Sequence, residues 1–195
     1  ATEALTRAVD KFDYEQDQLI YFRTIHSLCY FWQGLSKSDI LDRKDLRAFS
    51  KLVGERINSA WDGENLMALN SLGDNMLFLE NMARNTCMDY KRAWQLADSD
   101  ISWMHFNWFV ESYNNYKQTN FLMDYTDMLS GFLNMDNSPK LRALIVDEAQ
   151  DLSALQWKCV HKLAKDVENV YIAGDDDQAI YKWAGADTEH FINLA

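Results

Sequence analysis

The sequence predicts an α/β fold: a parallel sheet into which a large all-helical segment is inserted. Two observations near the C-terminus and one along the middle carry this. "LRALIVDEAQD" and "NVYIAGD" are near-continuous apolar runs ending in acids, the signature of buried parallel strands. Between them Ser153 and Gln156 have capping-box spacing, opening a helix with Leu155, Cys159 and Leu163 on one face. Strand, helix, strand in this order is a βαβ unit with a right-handed crossover. The chain holds a single proline, Pro139, and only seven glycines, so with so few breakers the middle of the chain reads as helix-rich.

The elements follow in order. Ala1 to Phe12 is expected to be helical, with Leu5 and Val9 four residues apart and Ala8 and Phe12 beside them. "QLIYFRT", Gln18 to Thr24, reads as a short strand. "TIHSLCYFWQGL" then turns into an apolar helix that Gly34 ends. From about Ser36 to Asn120 the pattern is helical. Leu46, Phe49, Val53 and Ile57 form one stripe, and Trp103, Phe106, Val110 and Tyr113 another. "ENLMALNSLGDNMLFLENMA" supplies a further helix, and these aromatic and Met stripes read as core. Phe121 to Phe132 is helical, and "NMDNSPK" is a loop.

Bulk properties narrow the function classes. The 195 residues suit one large domain or one domain with an inserted subdomain. No apolar run approaches a membrane span. Cys29, Cys87 and Cys159 are far apart and odd in number, which argues against a disulfide framework or a zinc site and for a reducing, cytoplasmic setting. Net charge is −11, which opposes nonspecific electrostatic capture of nucleic acid without excluding a local groove. The abrupt helical start suggests a fragment of a longer protein.

The chemistry gathers where the two strands end, the place where open α/β sheets bind ligands. "IVDEAQD", Ile145 to Asp151, has the Walker B layout. Asp147 can hold Mg²⁺, and Glu148 can orient and deprotonate a water for attack on a γ-phosphate. The plain alternative is an acidic N-cap for the next helix, made less attractive by the second acid-tipped strand. In "GDDDQAIYKWAGAD", Gly174 to Asp187, Gln178 is placed near a γ-phosphate. Its amide can contact phosphate and water without changing the charge. Tyr181 and Trp183 sit in a polar, glycine-containing stretch, where aromatics can stack on bases. The alternative for both is a place in the core.

Together these segments resemble motifs II and III of the UvrD/Rep/PcrA-like superfamily 1 DNA helicases. "RTIHSL" resembles the family's "TFHS"-type segment, "DYTDML" its "DFDDL" helix, and "ATEALTRAV" the tail of motif Ia. The resemblance implies a partial RecA-like P-loop NTPase sheet over 1–35 and 133–195 (domain 1A), with 36–132 as a helical 1B-like insertion. It implies an ATP-dependent helicase acting in DNA repair or replication, with ATP and Mg²⁺ as cofactors and single-stranded DNA and single/double-strand junctions as partners, moving 3′ to 5′. Asp147 matches the Mg²⁺ ligand, Glu148 the catalytic base, and Gln178 the residue that couples γ-phosphate to DNA. Tyr181 and Trp183 match aromatics of the single-strand path. Thr24 and His26 match the segment near the DNA backbone, although a structural role for His26 competes. The family often has arginine where Ala184 stands, and Lys182 is a nearby cation. The chain has no GxxxxGK[ST] loop, so this fragment alone is expected to be inactive. The rival readings are the helicase part of a RecB/AddA-type helicase–nuclease and a non-hydrolysing DNA-binding scaffold module.

Overall fold

The computed structural model describes residues 6, 9, 11, 19–58, 71–97, 100–179 and 185–193. The expected N-terminal helix lies outside these residues except at Thr6, Val9 and Lys11, each of which is helical. The described chain is mixed helix and strand, as expected. It contains a two-stranded parallel sheet, β1 (Ala143–Val146) and β2 (Asn169–Ile172), with Ala143 opposite Asn169 and Val146 opposite Ile172.

The expected strand at Gln18–Thr24 does not form over its described part. Leu19 to Phe22 is a tight turn closed by the Phe22 N–H on the Leu19 carbonyl (2.9 Å), and Arg23 Nε donates to the Ile20 carbonyl (2.5 Å). No neighbouring strand is present among the described residues to take these backbone groups, so local bonds satisfy them. The turn delivers Thr24 to the N-cap of α1 (Ile25–Trp32), where its side chain accepts the Ser27 N–H.

The helical middle holds α2 (Arg43–Val53), α3 (Leu72–Asn85), α4 (Tyr90–Leu96) and α5 (Trp103–Thr119). Asp42, Ser71, Asp89 and Ser102 cap their N-termini with side-chain oxygens, satisfying donors the first turn leaves free. The α2 stripe is shorter than the spacing predicts. Gly54 takes the left-handed conformation (φ 72°) and ends the helix. Ile57 still reaches the core, because Ser50 Oγ donates to the Glu55 carbonyl and accepts the Ile57 N–H, folding the chain back. Phe49, Met76, Leu79, Phe106, Phe109 and Tyr113 anchor the core these helices share.

α6 (Tyr125–Asn134) and α7 (Ala154–Ala164) build a second core with α1. Leu28, Cys29, Met128, Leu129, Phe132, Leu155, Cys159 and Leu163 meet there, so the Leu155, Cys159, Leu163 face is the buried one. The other side of α7, Trp157 and Val160, packs with Val146 and Ala149 beneath the strand ends. Lys162 reaches across and donates to the carbonyls of Phe132 (2.8 Å), Leu133 (3.1 Å) and Met135, closing the C-terminus of α6.

A buried ionic cluster joins α3, α5 and α6. Arg84 pairs with Asp127 (2.7 Å), Asp124 (2.5 Å) and Glu80, and Lys117 pairs with Asp124 (2.7 Å) and Asp127 (2.6 Å). Asp124 is also the N-cap of α6, in a reciprocal capping box with Asp127. Burial works to raise the Asp124 carboxyl, but the charges of Arg84 and Lys117 outweigh it and hold it far below the usual carboxylate range. The "DYTDML" acids therefore serve as cap and ion-pair partner at once.

The strands differ from expectation in burial, though not in pairing. Ile145 is 73% exposed and all four β2 residues are exposed. With two strands among the described residues, α7 packs against β1 through Val146 and Leu144, while Ile145 and β2 stay open.

Candidate nucleotide site at the strand ends

Parallel pairing continues one step beyond both strands. The Ala173 N–H donates to the Val146 carbonyl (2.8 Å), and the Ala149 N–H donates to the Ala173 carbonyl (3.0 Å). The two acid-bearing turns are therefore bonded side by side.

On the first turn Asp147 and Glu148 are exposed. Asp147 Oδ1 accepts the Glu148 N–H at 3.0 Å, and its other oxygen has no hydrogen-bond partner among the described residues. Glu148 takes the left-handed conformation (φ 52°, ψ 41°), which costs a non-glycine residue about 1–2 kcal/mol. This kink starts a short 3₁₀ turn, Ala149–Asp151, and rolls Gln150 inward to 1% exposure. The acidic N-cap alternative fails on geometry. Glu148 makes no side-chain cap, and Ser153 caps α7 in the expected box with Gln156.

On the second turn Asp175 organises the loop. Its Oδ1 accepts the Asp177 N–H (3.1 Å) and its Oδ2 accepts Gln178 Nε2 (2.6 Å). Gln178 lies in the 3₁₀ turn Asp176–Gln178 and is exposed. The chain then returns as α8 (Thr188–Ile192), pinned where the Asp187 N–H donates to the Leu152 carbonyl (2.8 Å).

Two residues unremarked in the sequence hold these turns together. Gln150 bonds to Glu148 on one turn and to the Asp175 backbone on the other. Gly174 lies against it, and a β-carbon there would meet Gln150 Oε1 at 2.5 Å and the Phe191 ring at 2.8 Å. A glutamine two residues past the acid pair and a glycine ending the second apolar run were the available signals. Nearby, burial first and the Glu148 charge second push the Asp151 carboxyl up.

The remaining site residues fall as follows. Tyr181, Lys182 and Trp183, with Ala184, lie outside the described residues. Thr24 is the α1 cap. His26 is half-buried, edge-on to Tyr125 with ring centroids 6.0 Å apart, and burial lowers its pKa. The intervening Ile25 packs against the core beneath Val146 and Ala149, so the α1 N-terminus borders the strand ends.

Among the described residues no group of three or more His, Cys, Asp or Glu is placed to hold a metal by protein ligands alone. Asp147, exposed and with one oxygen free of hydrogen bonds among the described residues, fits the sparser manner in which Mg²⁺ is held, by one or two carboxylates plus phosphate oxygens and water.

An acid-tipped parallel pair backed by helices, with a helical segment ahead of it in the chain, defines an α/β protein whose ligand chemistry belongs at its strand ends. Residues 1–195 match the UvrD/REP helicase N-terminal domain, and the chain belongs to that family. It is 33% identical over 109 residues to the ATP-dependent DNA helicase Rep of Buchnera aphidicola, covering 51% of this chain and 16% of that protein. It is 24% identical to the ATP-dependent DNA helicase PcrA of Staphylococcus aureus over all of this chain and 28% of the relative. A probable DNA helicase of Mycoplasma pneumoniae is 36% identical over 91 residues, 42% of this chain and 17% of that protein. These matches cover 16 to 28% of the relatives' own length. No helix among the described residues is long and apolar enough to cross a membrane.

Proposed function

We propose that this chain is part of the first RecA-like domain of an ATP-dependent DNA helicase, a motor that couples Mg-ATP hydrolysis to movement on single-stranded DNA. Residues 1–35 and 133–195 form the RecA-like part and 36–132 the 1B-like insertion. The observation that carries the reading is the hydrogen-bonded contact of the two turns bearing Asp147, Glu148 and Gln178.

Each residue has a role set by its chemistry. Asp147 would hold Mg²⁺, which would supply charge neutralisation of the phosphates. Glu148 orients the attacking water and takes its proton. Gln178 meets the γ-phosphate with an uncharged amide. Tyr181 and Trp183 stack on bases, Lys182 adds a cation, and Thr24 and His26 lie along the DNA backbone. DNA strands and their junctions are the partners. The setting is cytoplasmic, supported by three unpaired cysteines. The phosphate cradle and the second RecA-like domain belong to the rest of the parent, so these residues alone do not turn over ATP.

The test is DNA-stimulated ATP hydrolysis by the full-length protein with Glu148→Gln as control. Turnover that survives this substitution removes the base assignment. A protein that binds DNA but hydrolyses nothing is a scaffold instead. Trp183→Ala is expected to weaken single-strand binding by about 1–3 kcal/mol, and unchanged binding sinks the stacking role.

A further inference from the structure

Gln150 touches both turns with one buried amide. Its Nε2 donates to Glu148 Oε2 at 2.8 Å, and its Oε1 accepts the Asp175 N–H at 3.0 Å. The orientation of the amide is fixed by its partners. A backbone N–H can only donate, so the oxygen must face Asp175 and the NH₂ must face Glu148. That donor suits an ionised carboxylate and occupies one of its oxygens, leaving Oε1 of Glu148 for water.

The bonding continues past Asp175. The same residue that receives Gln150 through its N–H holds Gln178 Nε2 through its carboxylate at 2.6 Å. A chain of hydrogen bonds therefore runs from Glu148 through Gln150 and Asp175 to Gln178. Its surroundings are built to keep it in register. Gln150 is 1% exposed. Thr188 Oγ1 donates to its backbone carbonyl (3.5 Å), and the missing side chain of Gly174 makes room for its amide.

We infer that Gln150 is a positioning residue that locks the orientation of Glu148 to that of the Asp175–Gln178 turn. The inference rests on the base role proposed for Glu148. When Gln178 shifts toward or away from a phosphate, Asp175 moves with it, and Gln150 transmits that displacement to the carboxylate that must point at water. Hydrolysis and phosphate sensing are then one mechanical unit.

The test uses the full-length protein with Glu148→Gln, Gln150→Met and Gln150→Glu, assayed for ATP hydrolysis with and without oligo-dT. Gln150→Met keeps the length of the side chain and removes both bonds. It is expected to lower kcat roughly 10-fold or more with KM little changed, because an interaction made in the reacting geometry is lost, and to reduce the stimulation by DNA. Gln150→Glu is nearly isosteric; its carboxylate can still accept the Asp175 N–H but has no N–H to give Glu148. It too should lower kcat with KM little changed and reduce the stimulation by DNA. Should Gln150→Met fail to fold, as judged by its melt, Gln150→Glu decides alone. If Glu148→Gln abolishes turnover while kcat and DNA stimulation ignore both substitutions at Gln150, the positioning role is wrong and the base assignment stands. If Glu148→Gln leaves turnover intact, the functional reading fails and this inference goes with it.

Discussion

Replacing Arg84 by methionine would leave three carboxylates, Glu80, Asp124 and Asp127, facing Lys117 alone. The three do not suffer equally. Asp124 keeps Lys117 at 2.7 Å, the Tyr113 hydroxyl at 3.1 Å and the Asp127 N–H at its other oxygen. Asp127 keeps Lys117 at 2.6 Å. Glu80 has 0% side-chain exposure and, among the described residues, keeps the Tyr90 hydroxyl at 3.3 Å as its hydrogen-bond donor. In the native cluster Arg84 Nε approaches Glu80 Oε1 at 2.8 Å as an ion pair without hydrogen-bond geometry, while Nη2 donates to Glu80 Oε2 at 3.1 Å. Breaking one side of such a buried pair costs about 3–5 kcal/mol, and for a chain of this size that lowers Tm by roughly 6–20 °C. Burial already pushes the Glu80 carboxyl up against the pull of Arg84. Without the arginine it rises further, so the loss should be largest near pH 7.5. Toward pH 5 the loss should shrink as Glu80 takes a proton and no longer needs a cation. Urea unfolding of wild type and Arg84→Met at the two pH values measures this, and Glu80→Gln in the variant background should restore about half or more of the loss at pH 7.5. A loss below about 1 kcal/mol, or one equal at both pH values, would refute the claim that the cluster is held by charge.

The other expectations are shorter. Gly174→Ala drives a methyl against Gln150, the Phe191 ring and, at 3.2 Å, the Ala149 nitrogen. Overpacking of this kind costs about 1–3 kcal/mol, and an unchanged melting temperature would show that the turns are not packed as described. Lys162→Met keeps the aliphatic stem and removes the ammonium from the carbonyls of Phe132, Leu133 and Met135, of which Phe132 keeps the Met135 N–H. A loss of about 1.5–3 kcal/mol, seen as a lower urea midpoint with the same slope, is expected. Burial holds the folded-state pKa of His26 below its unfolded value near 6.5. Stability from the neutral ring is thus present above that value and lost as pH falls below it. His26→Gln should flatten the decline in stability between pH 7.5 and 5.5, and an unaltered slope would place that titration elsewhere.

What the sequence revealed and what it hid divide along the distance over which each feature is decided. The acid-tipped strands, the Ser153 cap and the buried face of α7 are set by residues within one or two turns of each other, and all formed, the strands paired as read but without the burial expected of them. "QLIYFRT" shows the limit. Strand propensity is a statement about fitting a half-buried pleated surface, and its described part had no strand to pair with. The same dependence on neighbours explains the open face of β1 and β2, whose apolar runs spoke for burial on both sides. Arg84 and Asp124 are 40 residues apart, and Gln150 and the Asp175 N–H are 25 apart, so no local pattern could join them.

That distance also bears on where the chemistry resides. The residues that would touch nucleotide were legible because their side chains carry reactive or phosphate-binding groups in a telling place, an acid pair after a strand and an amide after an acid cluster. The residue that would make them act together was not, because a buried glutamine has no reactive group to advertise it. Its importance rests on geometry alone: two bonds of 2.8 and 3.0 Å from one amide to two different turns. In water such an amide would exchange partners freely, and losing one bond would cost little. At 1% exposure the Gln150 amide is withdrawn from solvent, though Glu148 and Asp175 are exposed. A shift of the Asp175 turn that did not carry Glu148 with it would leave that buried amide short of a partner, at a cost of about 1–3 kcal/mol.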